Sequence, residues 1–537
     1  MAQDRGRGSG LQGDATISIT GRGDALAAPD RPMRLLLLAL WIALSGYLAV
    51  RHVVWRDEMR ALSLALFGDS VGDMLRAIHG EGHPAIWYLM LRGAYTLVPV
   101  REVLPVLGWL SAAAAAVLFA WRAPFRPLTL ALVLFSAFFA FEYAAVARNY
   151  GIGMLAMFGV AAAYPAWRDR GVAVGLLLAV LCNTNVPCCV LAALLLGFWL
   201  VELIGEEGLR WGPKYRIFIL NALVAAAGAG LCFATVFPTV HDAAVIEHPG
   251  GVGPLAVLKA LFTPASSFGE LVPPVIPTNE ATAALFGVLV FGAVLSLIRA
   301  PGAFLAGLAA LFAFELFFQF VYPGYYRHQA LLLCFLVSLH WLVAKGRGGL
   351  WPEAWRIAER TERIAAAGEA MFLVLLFLQV LITLTFLSTE AAGYPFSRAR
   401  DLGRLVREQG LEGAPIMADP DVVAEAFPYY LPRNPVWMPR ARRFATVVRF
   451  TKDDRRVLTP DDYLADARAL KVRTGRPVLI VLQNRLSADR ATRTKEAYVW
   501  VFETTPDQVR RFEAATQRLA RFGPAVTDES YDVYVLR

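Results

Sequence analysis

Two carboxylates stand side by side between arginines in Trp55-Arg56-Asp57-Glu58-Met59-Arg60, directly after an apolar run. An acid held near apolar walls can take a proton as general base, and it can also ligate a divalent cation. The plain alternative is interfacial charge that ends a helix. Glu81-Gly82-His83-Pro84 comes next, ahead of Trp87 and Tyr88. Glu81 and His83 carry metal-ligating groups, and His83 could bind a phosphate oxygen; otherwise this is a loop and a Pro-started helix anchored by aromatics. Glu142 and Arg148 are the only charged side chains between Pro127 and Ala166. A charge at mid-bilayer costs roughly 2.5–3.5 kcal/mol, so such residues are functional candidates. Six positions apart, they point to different faces of a continuous helix, which argues against a mutual ion pair. Arg327 and His328, after Tyr322-Pro323-Gly324-Tyr325-Tyr326, could hold a phosphate through charge-assisted hydrogen bonds. An aromatic belt with a snorkelling arginine is the alternative there. Glu315 is a further intramembrane acid, either a third site member or a partner for Arg327. Asn183-Thr184-Asn185, just before Pro187, reads as a turn more than as a ligand site.

The elements that must position these groups follow from composition. The chain has 537 residues, 57% hydrophobic and 18% charged, with a mean hydropathy of +0.48. Of its 96 Asp, Glu, Lys and Arg residues, 44 lie after Tyr394. This excludes an ordinary soluble enzyme, a disordered or collagen-like chain and a disulfide-stapled secreted fold. It implies a polytopic α-helical membrane body followed by a soluble domain. The five cysteines fall in apolar stretches without metal-ligand spacing and read as small membrane residues. The net charge of +8 is too diffuse for a nucleic-acid partner.

Residues 1–32 read as a disordered cytoplasmic leader, and 33–388 as the transmembrane domain. Eleven spans are expected: 35–50, 103–120, 128–146, 150–166, 171–186, 187–204, 216–238, 282–298, 303–321, 328–345 and 367–388. Arg34 and Arg51 flank the first span, with heads that can snorkel to the two interfaces. The basic short loops, among them Arg122–Arg126, Arg168–Arg170 and Arg210–Arg216, belong inside. The N-terminus is then cytoplasmic, and 83–99 is a helix along the outer face. The first outer loop (55–102), a second large outer loop (239–281) and the soluble domain (395–537) share one side. Six of the seven histidines gather there, including His241 and His248 in a loop long enough to be a lid. The soluble part reads as a small α/β domain. Its strands are expected at 415–419, 477–483, 497–502 and 531–536, and its helices at 460–471 and 506–522.

The first-loop Asp-Glu pair, the His-Pro helix rich in Trp and Tyr, and the later Ala-Arg-x-Tyr segment occur in an order that resembles the polytopic GT-C glycosyltransferases. The resemblance is to the branch of protein O-mannosyltransferases and the lipid A aminoarabinose transferase. It implies a GT-C body of about eleven spans with juxtamembrane helices and a C-terminal extracytoplasmic α/β domain, in the bacterial inner membrane. The implied reaction moves a sugar from a polyprenyl-phosphate donor to a glycan, lipid or protein acceptor, with inversion. Asp57 matches the first-loop aspartate, as general base or metal-linked carboxylate, and Glu58 its neighbour; Glu142 stands where some relatives have a second acid. Arg60, His83, Arg148 and Tyr150 match positions near the donor phosphate, which Arg327 and His328 join. A divalent metal ion is left open as cofactor, with Glu81, His83 and His248 a site only if the fold joins them.

A lipid or polysaccharide transporter is the competing class, but it predicts paired repeats, broken helices and midplane charges. A non-catalytic envelope assembly protein is another. The clustering of ionisable groups on one side favours the enzyme.

Overall fold

The computed structural model describes residues 31–237, 253–263, 266–277, 279–349, 358–497 and 499–537. His241, His248 and almost all of the expected leader lie outside the described residues. The membrane body begins with α1 (Arg31–Arg51), and three short helices follow: α2 (Arg56–Ala65), α3 (Val71–Ala77) and α4 (Ala85–Leu97). Then come α5 (Val103–Arg122), α6 (Pro127–Leu134), α7 (Tyr150–Trp167), α8 (Ala173–Cys182), α9 (Val186–Glu207) and α10 (Pro213–Val236). The second half holds α11 (Pro254–Phe262), α12 (Glu280–Leu295), α13 (Pro301–Phe320), α14 (Tyr326–Ala344) and α15 (Ala358–Ala391). Among the described residues, eight of these are long and apolar enough to cross a membrane: α1, α5, α7, α9, α10, α13, α14 and α15. Three expected spans differ in form. The helices α8 and α12 are shorter apolar helices, and the 128–146 segment is α6 followed by a π-helical turn, Phe138–Glu142.

That broken segment matters most. Leucine and valine carry α6 to Leu134, and Ser136 then turns its hydroxyl back to the Val133 carbonyl. The chain runs through the π turn and an irregular stretch before α7 begins at Tyr150. Side-chain bonding to a local carbonyl and π turns both interrupt helices, often at functional sites. Two glycines let this stretch pack tightly. A Cβ on Gly108 of α5 would stand 3.0 Å from Ala147 Cα, and one on Gly151 of α7 would stand 2.8 Å from the Tyr143 carbonyl oxygen. At the opposite end of α5, Arg34 does not snorkel. It is buried and donates to the carbonyls of Ala120, Ala123 and Phe125, satisfying a helix terminus.

After α15 the chain forms α16 (Ala399–Glu408), α17 (Phe427–Tyr430), α18 (Pro460–Thr474) and α19 (Pro506–Ala515) around two sheets. The strands are β1 (Ile416–Asp419), β2 (Val436–Met438), β3 (Arg443–Phe444), β4 (Val457–Leu458), β5 (Val478–Leu482), β6 (Thr492–Lys495), β7 (Val501–Thr504), β8 (Gln517–Phe522) and β9 (Tyr531–Leu536). The six-stranded sheet has order β3-β2-β1-β5-β9-β8, with β1 parallel to both β2 and β5. The smaller sheet is β4-β7-β6. Thr459 and Thr505 cap α18 and α19, each hydroxyl accepting from the N–H three residues on, with Pro at the first helical position. The expected 506–522 helix stops at Ala515. Thr516 takes extended backbone, and 517–522 pairs antiparallel with the wholly buried β9, which without it would leave a ladder edge open. Of the expected 497–502 strand, Val501 and Phe502 lie in β7, while the Trp500 N–H donates to the Ala497 carbonyl.

Gly151→Ala tests the close packing of α7 on the broken segment. The new methyl meets backbone at 2.8 Å. Overpacking of this kind costs typically 1–3 kcal/mol, and the thermal midpoint in detergent should drop by several degrees.

Candidate active site

The first turn of α2 and the 143–149 stretch meet in register. Glu58 is fully buried, and its carboxylate binds three partners: His52 Nε2 at 2.7 Å, the Trp55 N–H at 3.2 Å and the Ala147 N–H at 2.6 Å. One residue earlier on one side and one later on the other, Asp57 Oδ2 accepts from Arg148 Nη1 at 2.9 Å. Arg327 Nη1 stands 3.7 Å from the same oxygen. Arg327 is the second residue of α14, the most enclosed of the described spans. Its carbonyl accepts from the Tyr143 hydroxyl at 2.7 Å, and its guanidinium lies over the Trp55 ring. Three elements far apart in sequence thus converge on one carboxylate.

Asp57 keeps 37% of its side chain exposed, so it is the open member of the pair. Burial works to raise its carboxyl, but Arg148, Arg327 and Arg56 outweigh that and hold it at about 2. Arg148 also donates from Nη2 to His83 Nε2 at 2.9 Å. A guanidinium can only donate, so Nε2 accepts and the ring proton sits on Nδ1. Burial and then the Arg148 charge hold the His83 imidazole down at about 3. His83 is therefore a neutral buttress for Arg148. Tyr150 stacks on Tyr143 and meets the His83 and His328 rings edge-on; its hydroxyl is buried without a hydrogen-bond partner among the described residues. His328 accepts from the Tyr325 N–H through Nδ1 and so caps α14.

The structure gathers Asp57, His83, Arg148, Tyr150, Arg327 and His328 into one cluster, and assigns other expected residues elsewhere. Glu58 is beneath the cluster as a clamp. Arg60 makes a bidentate pair with Glu81 at 2.8 and 2.6 Å and a second pair with Glu425, so three carboxylate oxygens occupy the arginine expected on the donor phosphate. Burial raises the Glu425 carboxyl to about 7, against the pull of Arg60. Glu142 is buried at the end of the π turn. Glu315 is no partner of Arg327: the Ser266 and Ser267 hydroxyls, the Ser267 N–H and Gln319 satisfy it. Asn185 caps α9, so the Asn-Thr-Asn segment is a turn. Among the described residues, no three His, Cys, Asp or Glu side chains are placed to hold a metal ion. Asp57 faces guanidiniums and Glu81 faces Arg60, an arrangement that repels a cation.

Sequence reasoning did not single out His52 or Tyr143, nor the grip of the sheet region on this site. Arg400 donates to the His52 carbonyl, the Tyr430 hydroxyl to the Val54 carbonyl, and Glu425 holds Arg60. Asp528 and Glu529 hold Arg56. The only signal was their charge type, since no spacing links partners more than 300 positions apart.

No family model matches the chain, and no curated protein sequence matches it. Solved structures do. The chain is similar to the crystal structure of ArnT from Cupriavidus metallidurans in the apo state, at 16% identity and a TM-score of 0.48 over 95% of this chain and 99% of that one. The same enzyme bound to undecaprenyl phosphate matches at 14% and 0.46, over 95% and 99%. The cryo-EM structure of arabinofuranosyltransferase AftD from Mycobacteria matches at 14% and 0.36, over 96% of this chain and 40% of that one.

Two outcomes follow from the geometry. Glu58→Ala leaves the Trp55 and Ala147 N–H groups without partners, at about 1–3 kcal/mol each. It should lower the monodisperse yield on size-exclusion chromatography, whereas Asp57→Asn should not. The His83 ring signal, assigned by its loss in His83→Gln, should not titrate between pH 5 and 8 in histidine-labelled protein, because its pKa lies near 3.

Proposed function

We propose that this chain is a GT-C-type glycosyltransferase that moves a sugar from a polyprenyl-phosphate donor to a hydroxyl or amine of an extracytoplasmic glycan, lipid or protein. The observation that carries this reading is a half-open carboxylate, Asp57, pinned by arginines from two different parts of a membrane bundle. A lipid-linked phosphate cannot leave the bilayer, so its head must meet protein where span meets water. Arg148 and Arg327 stand at the ends of two such segments, and their positive charge stabilises the negative charge that a departing phosphate develops.

In this reading the donor phosphate draws Arg148 and Arg327 away from Asp57. A carboxyl held at about 2 is a poor base; relieved of two cations it becomes a better one. The base thus gains strength when donor is present. Asp57 then takes the acceptor proton as the acceptor oxygen or nitrogen attacks the anomeric carbon. The carbon–oxygen bond to phosphate breaks, and polyprenyl phosphate leaves with the electron pair, giving inversion. His83 keeps Arg148 aimed, and Tyr150 offers its unpaired hydroxyl to the phosphate or sugar. We place this chain in the inner membrane of a bacterium, with the sheet region on the periplasmic side, where a lipid-linked donor meets an extracytoplasmic acceptor.

The test uses full-length protein in nanodiscs with a panel of undecaprenyl-phosphate sugars and a membrane extract as acceptor. Wild type should release undecaprenyl phosphate, and Asp57→Asn should lower release by at least about 100-fold. Arg148→Lys should lower it less and weaken donor binding. Equal release by wild type and Asp57→Asn would overturn the role of Asp57.

A further inference from the structure

Arg56 precedes Asp57 in the first turn of α2, and its Nε lies 4.0 Å from Asp57 Oδ1. Yet the guanidinium turns away. Its Nη1 and Nη2 make a bidentate pair with Asp528 at 2.7 and 2.9 Å. Glu529 completes the restraint, with Oε1 accepting the Arg56 N–H at 3.1 Å and standing 3.6 Å from Nη1. Glu529 itself is fully buried and held by the Ser397 and Tyr531 hydroxyls, just before the six buried residues of β9. The anchor is therefore part of the sheet core. On the other side of Asp57, Oδ2 is occupied by Arg148 and approached by Arg327. Oδ1 accepts no hydrogen bond among the described residues, and it is the oxygen left to take a proton.

We propose that Asp528 is a positioning residue that holds the Arg56 guanidinium off Asp57 Oδ1 and so keeps the base open. This rests on the reading of Asp57 as general base. Without Asp528, the nearest carboxylate oxygens to Arg56 are those of Glu529 and Asp57. A guanidinium settling on Oδ1 would cover the proton-accepting atom and weaken it as a base. The C-terminal region would then be a working part of the site, through one arginine. The contact can be tested alone. Asp528 has 51% of its side chain exposed, and Arg400, Tyr430 and Glu425 keep the two parts joined without it.

The experiment measures steady-state release of undecaprenyl phosphate from the undecaprenyl-phosphate sugar panel by full-length protein in nanodiscs. Asp528→Asn should lower kcat about tenfold with the donor KM within about twofold, the pattern of a lost transition-state function. Arg56→Gln alone should stay within about threefold of wild type, and the double variant should return to that level, because the intruding charge is gone. Asp528→Glu should keep most activity. A salt bridge that merely docks the two parts predicts something else: Arg56→Gln as damaging as Asp528→Asn, with no recovery in the double variant. That result, or unchanged kcat in Asp528→Asn, overturns the proposal while leaving the transferase reading standing. Absence of release by the wild type overturns both.

Discussion

The buried carboxylate of Glu58 is the interaction on which the site depends. It ties the end of α1 through His52, the start of α2 through the Trp55 N–H, and the irregular stretch before α7 through the Ala147 N–H. A buried charge is tolerated only when its lone pairs are satisfied, and here three partners from three segments satisfy it. The register then follows. With Glu58 on Ala147, the neighbouring Asp57 and Arg148 face each other across the same joint. Two adjacent acids therefore divide the work, one sealed beneath as a clamp and one left half open above.

The charges around the open acid are sorted by their partners. Arg60 is spent on Glu81 and Glu425, and Arg56 on Asp528 and Glu529. Arg148 and Arg327 rest on Asp57 itself, a half-exposed partner. The site therefore holds its arginines in two ways: Arg56 and Arg60 are locked by carboxylates of the first loop and the sheet region, and Arg148 and Arg327 rest on Asp57 with His83 and the Trp55 ring beside them. With every guanidinium beside a carboxylate, one small region can carry four of them.

The sheet region is joined by hydrogen bonds to the 52–60 stretch at His52, Val54, Arg56 and Arg60. Glu425 and Glu529 are both buried there, and burial raises each carboxyl to about 7. These groups are costly to bury and are held by arginines from the first loop, so the contact is specific rather than a loose docking of two bodies.

Much of this was written in local pattern. The spans, eight of which are long and apolar enough to cross a bilayer among the described residues, the starts of α18 and α19, and the buried runs of β1, β5 and β9 depend on neighbours in sequence, so they could be read directly. Asp57, Arg148 and Arg327 were legible as candidates because a charge beside apolar spans is expensive and needs a reason. Sequence could not assign the partners. Asp57 and Glu58 are adjacent and chemically alike; burial and the Ala147 N–H made one of them structural. Arg60 looked as suited to a phosphate as Arg148, until the fold brought Glu425 to it from 365 residues away. The strand at 517–522 looked helical because its partner, β9, lies across a turn that local preference does not see. Residue type sets what a side chain can do, and backbone periodicity sets where spans run. Which charges remain unpaired is decided by long-range contacts, and only the tertiary structure contains those.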